Sequence, residues 1–244
     1  MKHQPLHGSK FFFATAALPC PYLPDRFERR VVTELVGRDA ARFHDVLSNA
    51  GYRRSHSVAY TPACPNCTAC VSVRIISDAF VPTRSMKRVS KVNSHLSITE
   101  CDPVATEEQY ALFRLYQHSR HSSGDMARMD FVDYCALIEE TPVESSVLEF
   151  RDEDDVLVGA CLVDRIENGL SAVYSFFDPD LSSQSLGTYV ILWLIEQTKD
   201  QGLPYVYLGF WVNECDKMSY KAKFRPLEKY TPAGWKLMGD LDPK

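Results

Sequence analysis

Apolar and polar residues alternate along this chain with two different periods, and the change between them outlines the fold. Between Gly37 and Gly51, Phe43, Val46 and Leu47 fall on one stripe of a 3.6-residue repeat. Asp39 stands where an N-cap belongs and Gly51 where a helix stops, so the stretch predicts a helix. Val71–Ile76 reads as a strand. Thr106 and Gln109 have the spacing of a capping box, followed by Tyr110, Leu112, Phe113 and Tyr116 at helical spacing. Phe131–Glu140 predicts a further helix. The pattern then shortens. Ser146–Phe150, Val156–Val163 and Leu170–Phe177 read as consecutive strands, joined by turns at Asp152–Asp155 and Asn168–Gly169. Ser185–Gln201 is apolar on nearly every side, which predicts a buried helix ended by Gly202, and Tyr205–Phe210 a short buried strand.

Hairpins, then helix, then strand is the order of an α+β layer arrangement. We expect two regions. Residues 1–100 form an N-terminal domain with a cysteine cluster and a basic segment, and 101–244 form the domain with the hairpin, helix and strand order. There is no internal repeat and no low-complexity linker. The 244 residues allow one large or two small cores, and 45% apolar residues argue against disorder. No run of eighteen apolar residues offers a membrane span. Phe11–Leu18, flanked by Lys2 and Lys10, superficially resembles an export signal. Pro19 precedes Cys20 where a small residue would be needed, so an N-terminal strand is expected.

The net charge of −5 excludes a protein that coats nucleic acid nonspecifically, so any RNA contact must come from a local basic patch. The densest such segment holds Arg84, Lys87, Arg88 and Lys91, four cations spread over eight residues that can meet phosphates. A second runs through Lys217, Lys221, Lys223 and Arg225, interleaved with Tyr220 and Phe224, a pattern that can hold phosphates and stack on bases or can be a plain solvated face.

Eight cysteines are too few for a disulfide framework in a chain of this size. Cys64, Cys67 and Cys70 form C-x-x-C-x-x-C, and the distant Cys20-Pro21 supplies a fourth thiol. That set suits an iron–sulfur cluster or zinc; buried reduced thiols are the plainer alternative. Cys101, Cys135, Cys161 and Cys215 lack such spacing and are expected in the core. Finally, the strand ending at Phe177 leads through Asp178-Pro179-Asp180 into Gln184-Ser185-Leu186-Gly187 and the buried helix. Free N–H groups at a helix start favour anions. The order strand, Q-x-x-G loop, helix, strand resembles the acyl-donor site of a GNAT-like acyltransferase fold.

Longer blocks extend the resemblance. Cys20-Pro21-Tyr22-Leu23-Pro24, Gly51-Tyr52-Arg53-Arg54-Ser55, Tyr60-Thr61-Pro62-Ala63-Cys64, Val71–Ile75 and Phe80–Ser85 resemble the arginyl-tRNA–protein transferase family. So do Phe177–Asp180, Ser185–Gly187, Tyr207–Gly209 and Lys217–Lys221. The short chain, the spaced cysteines and Phe224-Arg225-Pro226-Leu227 are similar to its bacterial, leucine-transferring branch. The resemblance implies a cytoplasmic enzyme. It would take leucine from leucyl-tRNA, join it to proteins that begin with Asp or Glu, and so mark them for N-degron degradation, without a membrane partner.

The chemistry needs no cofactor, because an aminoacyl ester reacts with an amine once the two are aligned. Gln184, Ser185, Leu186 and Gly187 are the expected donor loop. Asp178 is a candidate to orient or deprotonate the amine, its plainer role being the Asp-Pro turn. Tyr220 and Lys221 are candidates for the oxyanion or the tRNA end, and Arg84, Lys87, Arg88, Lys91 and Lys217 are the expected tRNA contacts, the first four on phosphates of the acceptor stem. The acceptor carboxylate calls for a guanidinium; Arg53, Arg54, Arg74 and Arg120 are the candidates, unranked. An arginyl donor, an acetyl-CoA-dependent acetyltransferase and a non-enzymatic RNA-binding metal module remain alternatives.

Overall fold

The computed structural model describes residues 9–122 and 124–239; Lys2, part of the export-signal comparison, lies outside them. Its centre is an eight-stranded sheet. β8 (Ser97–Cys101), β9 (Ser145–Arg151), β10 (Leu157–Ile166) and β11 (Gly169–Phe177) run antiparallel in turn. β12 (Tyr205–Trp211) then pairs parallel to β11, and β7 (Val71–Ile76), β13 (Leu227–Thr231) and β14 (Gly234–Leu237) complete the order.

The crossover from β11 to β12 is helix α5 (Leu186–Asp200), with eight buried residues, as its all-round apolar sequence predicts. Helix α3 (Glu107–Arg120) opens on the full capping box of Thr106 and Gln109, and α4 (Phe131–Glu139) follows it. Alternation along β9 puts helices on both faces. Glu149 accepts a hydrogen bond from Gln109 of α3 at 2.7 Å, while its neighbour Phe150 meets Tyr189 and Trp193 of α5. This antiparallel meander followed by a helical crossover to a parallel strand is the GNAT-like α+β arrangement expected.

A smaller sheet holds β1 (Phe13–Ala14), β4 (Arg30–Glu34), β6 (Val58–Pro62) and β5 (Arg53–Ser55) in that order, and β2 (Leu18–Pro19) pairs with β3 (Phe27–Glu28) beside it. Helix α1 (Ala40–Asn49) buries Phe43 and Leu47 against Leu35, Ala59 and Val143. Val46, placed on the apolar stripe by sequence, is half exposed; His44 and Ser48 take the buried face instead.

The division at residue 100 does not coincide with an edge of the architecture. β7 lies between β13 and β12, and β8 forms the other edge of the same sheet, so residues 71–101 belong to the large core. Strand pairing across the chain, which local periodicity does not report, decides this.

Candidate functional site

β11 and β12 pair only over Gly169–Ser171 and Tyr205–Tyr207. Beyond that they diverge, and a wedge opens between them. A bulge in β12 follows Tyr207, and Gly209 there has φ +68°, a conformation that suits glycine. Its bare Cα lets the Arg53 side chain lie against it, since a Cβ would stand 3.0 Å from the Arg53 Cδ and Nη1.

Arg53 reaches this wedge from β5. Its Nη2 donates to the carbonyl of Val173 on the unpaired part of β11. The phenols of Tyr60, Tyr22, Tyr220 and Tyr174 surround the guanidinium, and among the described residues no carboxylate forms an ion pair with it. A largely buried cation among neutral hydroxyls has the chemistry to pair with a carboxylate.

The other candidate arginines are placed differently. Arg54 is buried in a bidentate pair with Asp164, at 2.6 and 2.7 Å, which ties the small sheet to β10. Arg74 pairs with Glu228 at 2.7 Å and lies over the rings of Tyr205 and Trp235. Both already have anionic partners, so we assign them to the scaffold. Arg120 is exposed at the end of α3, its guanidinium 5.2 Å from the Phe177 ring centre.

Phe177 joins the two halves of the site. Its ring packs 5.0 Å from Tyr116, and a Cβ on Gly187 would come within 2.9 Å of its Cε1. Tyr220 in turn lies within electrostatic reach of Tyr116, Arg53 and Arg120. Gly187 thus lies against Phe177, Phe177 packs on Tyr116 and near Arg120, and Tyr220 lies within electrostatic range of Tyr116 and Arg120. The donor loop forms a 3-10 turn, Pro179–Gln184, that passes through Ser185 at φ 55° into the first turn of α5.

The Asp178 carboxylate accepts the Asp180 N–H at 2.9 Å and caps the turn, the plainer of its two expected roles. Burial pushes the Tyr220 phenol up to about 12, so it is a hydrogen-bond donor at neutral pH. Lys221 does not join a solvated basic face. It is buried, its Nζ donates to the Phe210 carbonyl at 2.6 Å, and burial followed by the Arg53 charge holds its pKa well below the usual lysine value. Phe224 is buried as well, and Arg225 donates to the Met238 carbonyl, so the C-terminal alternation of basic and aromatic residues is not one RNA-facing stripe. Lys217 is exposed and donates to the Arg120 carbonyl at 2.9 Å, with His121 Nδ1 at 3.4 Å. Burial, then Lys217 and Arg120, lower the His121 pKa.

Helix α2 (Arg84–Val92), capped by Thr83, carries Arg84, Lys87, Arg88 and Lys91 on its exposed side. Among the described residues none of the four has an acidic partner. The helix packs on α5, next to the donor loop.

Cys20, Cys64, Cys67 and Cys70 line one small cavity with Tyr22, Tyr60 and Phe210. Their grouping agrees with the spacing, but two of the thiols have hydrogen-bond partners elsewhere. Cys64 accepts the Arg29 N–H at 3.4 Å and Cys67 accepts Arg26 Nη1 at 3.3 Å. Among the described residues no three Cys, His, Asp or Glu side chains converge as metal ligands. As placed, the thiols do not form a coordination shell, and no chemical step passes through one. Of the remaining cysteines only Cys161 is fully buried; Cys101, Cys135 and Cys215, expected in the core, keep part of their surface exposed.

Sequence reasoning missed the tyrosine cage and the bulge. Arg53 and Tyr60 face each other across β5 and β6 of the small sheet, whereas Tyr22, Tyr174 and Tyr220 come from distant parts of the chain. Gly209 inside an apolar strand was the one local signal, since such a glycine marks a close backbone approach.

The pattern described as Arginine-tRNA-protein transferase, N terminus, matches residues 18–88, and that described as Arginine-tRNA-protein transferase, C terminus, matches 108–231. An aspartate/glutamate leucyltransferase of Paramagnetospirillum magneticum is 55% identical over 97% of this chain and 97% of its own. That of Granulibacter bethesdensis is 51% identical over 98% of this chain and 90% of its own. Among solved structures, L-PGS from Bacillus licheniformis superposes with a TM-score of 0.46 and 12% identity over 74% of this chain and 52% of that one. Likeness at that distance adds nothing to the topology.

Proposed function

The chain belongs to the arginine-tRNA-protein transferase family, and within it we propose that this protein transfers leucine from leucyl-tRNA to the N-terminal amino group of polypeptides that begin with Asp or Glu. The observation that carries the acceptor half is Arg53, a caged guanidinium without a carboxylate, at the opening between β11 and β12. The donor half rests on the relatives' names and on the helix start that Phe177 joins to the same wedge.

In this reading the acceptor's side-chain carboxylate pairs with Arg53, which aims the α-amino group along the wedge toward Phe177. The first N–H groups of α5 and the Gln184–Gly187 loop hold the esterified 3′ end. Attack of the amine on the ester carbonyl forms the new C–N bond and a tetrahedral oxyanion. Tyr220, protonated at working pH, donates a hydrogen bond to that oxygen. His121, neutral because of its surroundings, accepts the amine proton and returns it to the departing ribose oxygen, so that collapse breaks the ester C–O bond and expels a hydroxyl. Alignment supplies most of the acceleration, because the ester is already activated. Arg84, Lys87, Arg88, Lys91 and Lys217 hold phosphates. Leucine then marks the acceptor for N-degron degradation, in the cytoplasm where charged tRNA resides. Should an iron–sulfur group or zinc be carried, Cys20, Cys64, Cys67 and Cys70 would hold it; metal analysis of anaerobically purified protein tests that.

No helix among the described residues is long and apolar enough to cross a membrane. The decisive experiment incubates the protein with mixed aminoacyl-tRNAs and a peptide that begins with Asp. A mass increase of one leucine is expected. An arginine adduct, or acetylation from acetyl-CoA, would overturn the assignment.

A further inference from the structure

Asn93 follows the last turn of α2 and is completely buried. Both hydrogens of its side-chain amide are committed. Nδ2 donates to the Val89 carbonyl of its own helix at 2.9 Å and to the Gln184 carbonyl of the donor loop at 2.8 Å. The Gln184 carbonyl belongs to the peptide that enters Ser185, the left-handed residue from which α5 starts. Holding that oxygen fixes the peptide plane, and with it the direction of the N–H groups at the helix start. A non-glycine residue in the left-handed region needs such an external tie.

The arrangement carries a cost. Asn93 Oδ1 has no hydrogen-bond partner, nor has Gln184 Oε1, and both are buried. An apolar side chain at 93 would leave no orphaned oxygen there, but neither would it donate to the loop. The other end of the connection is the exposed face of α2, with Arg84, Lys87, Arg88 and Lys91 free of acidic partners among the described residues. One side chain thus spans from the basic helix to the backbone that would hold the reacting ester.

We infer that Asn93 is a positioning residue for aminoacyl transfer, coupling an acceptor stem seated on α2 to the loop that opens α5. It touches neither substrate. The inference rests on the reading of Gln184–Gly187 as the donor loop. Asn93 governs how fast bound leucyl-tRNA reacts, while the cations of α2 govern how tightly it binds.

The test compares wild-type protein with Asn93→Asp, which keeps the shape and loses the donor, and Asn93→Ser, which is smaller and can still donate once. Single-turnover leucine transfer to an Asp-initiated peptide is measured at saturating leucyl-tRNA, with tRNA affinity measured separately. Asn93→Asp should slow transfer about tenfold or more with affinity within about twofold, and Asn93→Ser should fall between. Hydrogen exchange at Leu186–Tyr189 supplies a second readout: tRNA should slow it in the wild type and not in Asn93→Asp. Unchanged transfer, or tRNA protection of α5 preserved in the variant, would refute the coupling. Absence of leucine transfer by the wild type would instead refute the functional reading.

Discussion

Arg53, carried by the small sheet, donates to the carbonyl of Val173 on the large one, so a side chain occupies the place that a neighbouring strand leaves open. In the proposed reaction this cation pairs with the acidic N-terminal residue of the acceptor. Arg53→Lys keeps the charge and loses the planar fork. Hydrogen bonds to charged groups contribute about 1.5–3 kcal/mol, so kcat/KM for an Asp-initiated peptide should fall roughly 10- to 100-fold, mostly through KM. Steady-state kinetics with unchanged tRNA affinity check this. An unaltered preference for Asp over Asn would remove Arg53 from the acceptor site.

Arg54, its neighbour in sequence, should behave in the opposite way. Asp164→Asn breaks a buried bidentate pair and leaves Arg54 uncompensated, a change that costs about 3–5 kcal/mol. Denaturant unfolding should show that loss. The protein that remains folded should retain its acceptor preference.

Gly187 and the ring of Phe177 form the joint between donor loop and wedge. Gly187→Ala should displace the ring and lower transfer, and Phe177→Leu should make room for the added methyl. A double-mutant cycle is expected to give a coupling of about 0.5–3 kcal/mol in transition-state free energy. Additive effects would mean that the two residues act in separate places.

The pH profile should carry two ascending limbs. His121 is held below its ordinary value, so its base form persists to lower pH and the rate falls only below about 6.5. The acceptor amine titrates at about 7.7–8.0, and the rate should keep rising to that point. His121→Gln should slow transfer and abolish only the acid limb.

Lys221 gives a stability signature of its own. Its folded pKa lies well below 10.5, so between that depressed value and the unfolded one the unfolded chain binds the extra proton. Stability should therefore rise with pH across that window, by at most about 1.4 kcal/mol per pH unit. Lys221→Met should flatten the rise, as read from melting temperature against pH.

Replacing Lys87 and Arg88 of α2 with Ala should weaken tRNA binding and reduce the salt slope by roughly 0.7–0.9 for each lost phosphate contact. An unchanged slope would detach α2 from the RNA.

Local pattern determined much of this protein. The Thr106–Gln109 box, the strand at Val71–Ile76, the three strands through Phe177 and the buried α5 all appear where hydrophobic period and caps place them, because each depends on contacts only a few residues apart. Family blocks also marked the donor loop and the cysteines. Sequence could not separate Arg53 from Arg54, Arg74 or Arg120, since local pattern does not report which anion a guanidinium meets. The tertiary structure separates them by their partners: Asp164 lies 110 positions from Arg54 and Glu228 lies 154 from Arg74, whereas Arg53 meets tyrosines drawn from both sheets. A charge's role depends on what neutralises it, and that neighbour is chosen by long-range strand pairing. The same pairing moved β7 and β8 into the large core, and the tight turn at Tyr220–Lys223 directs Lys221 inward to the Phe210 carbonyl, where alternation along the chain pointed outward.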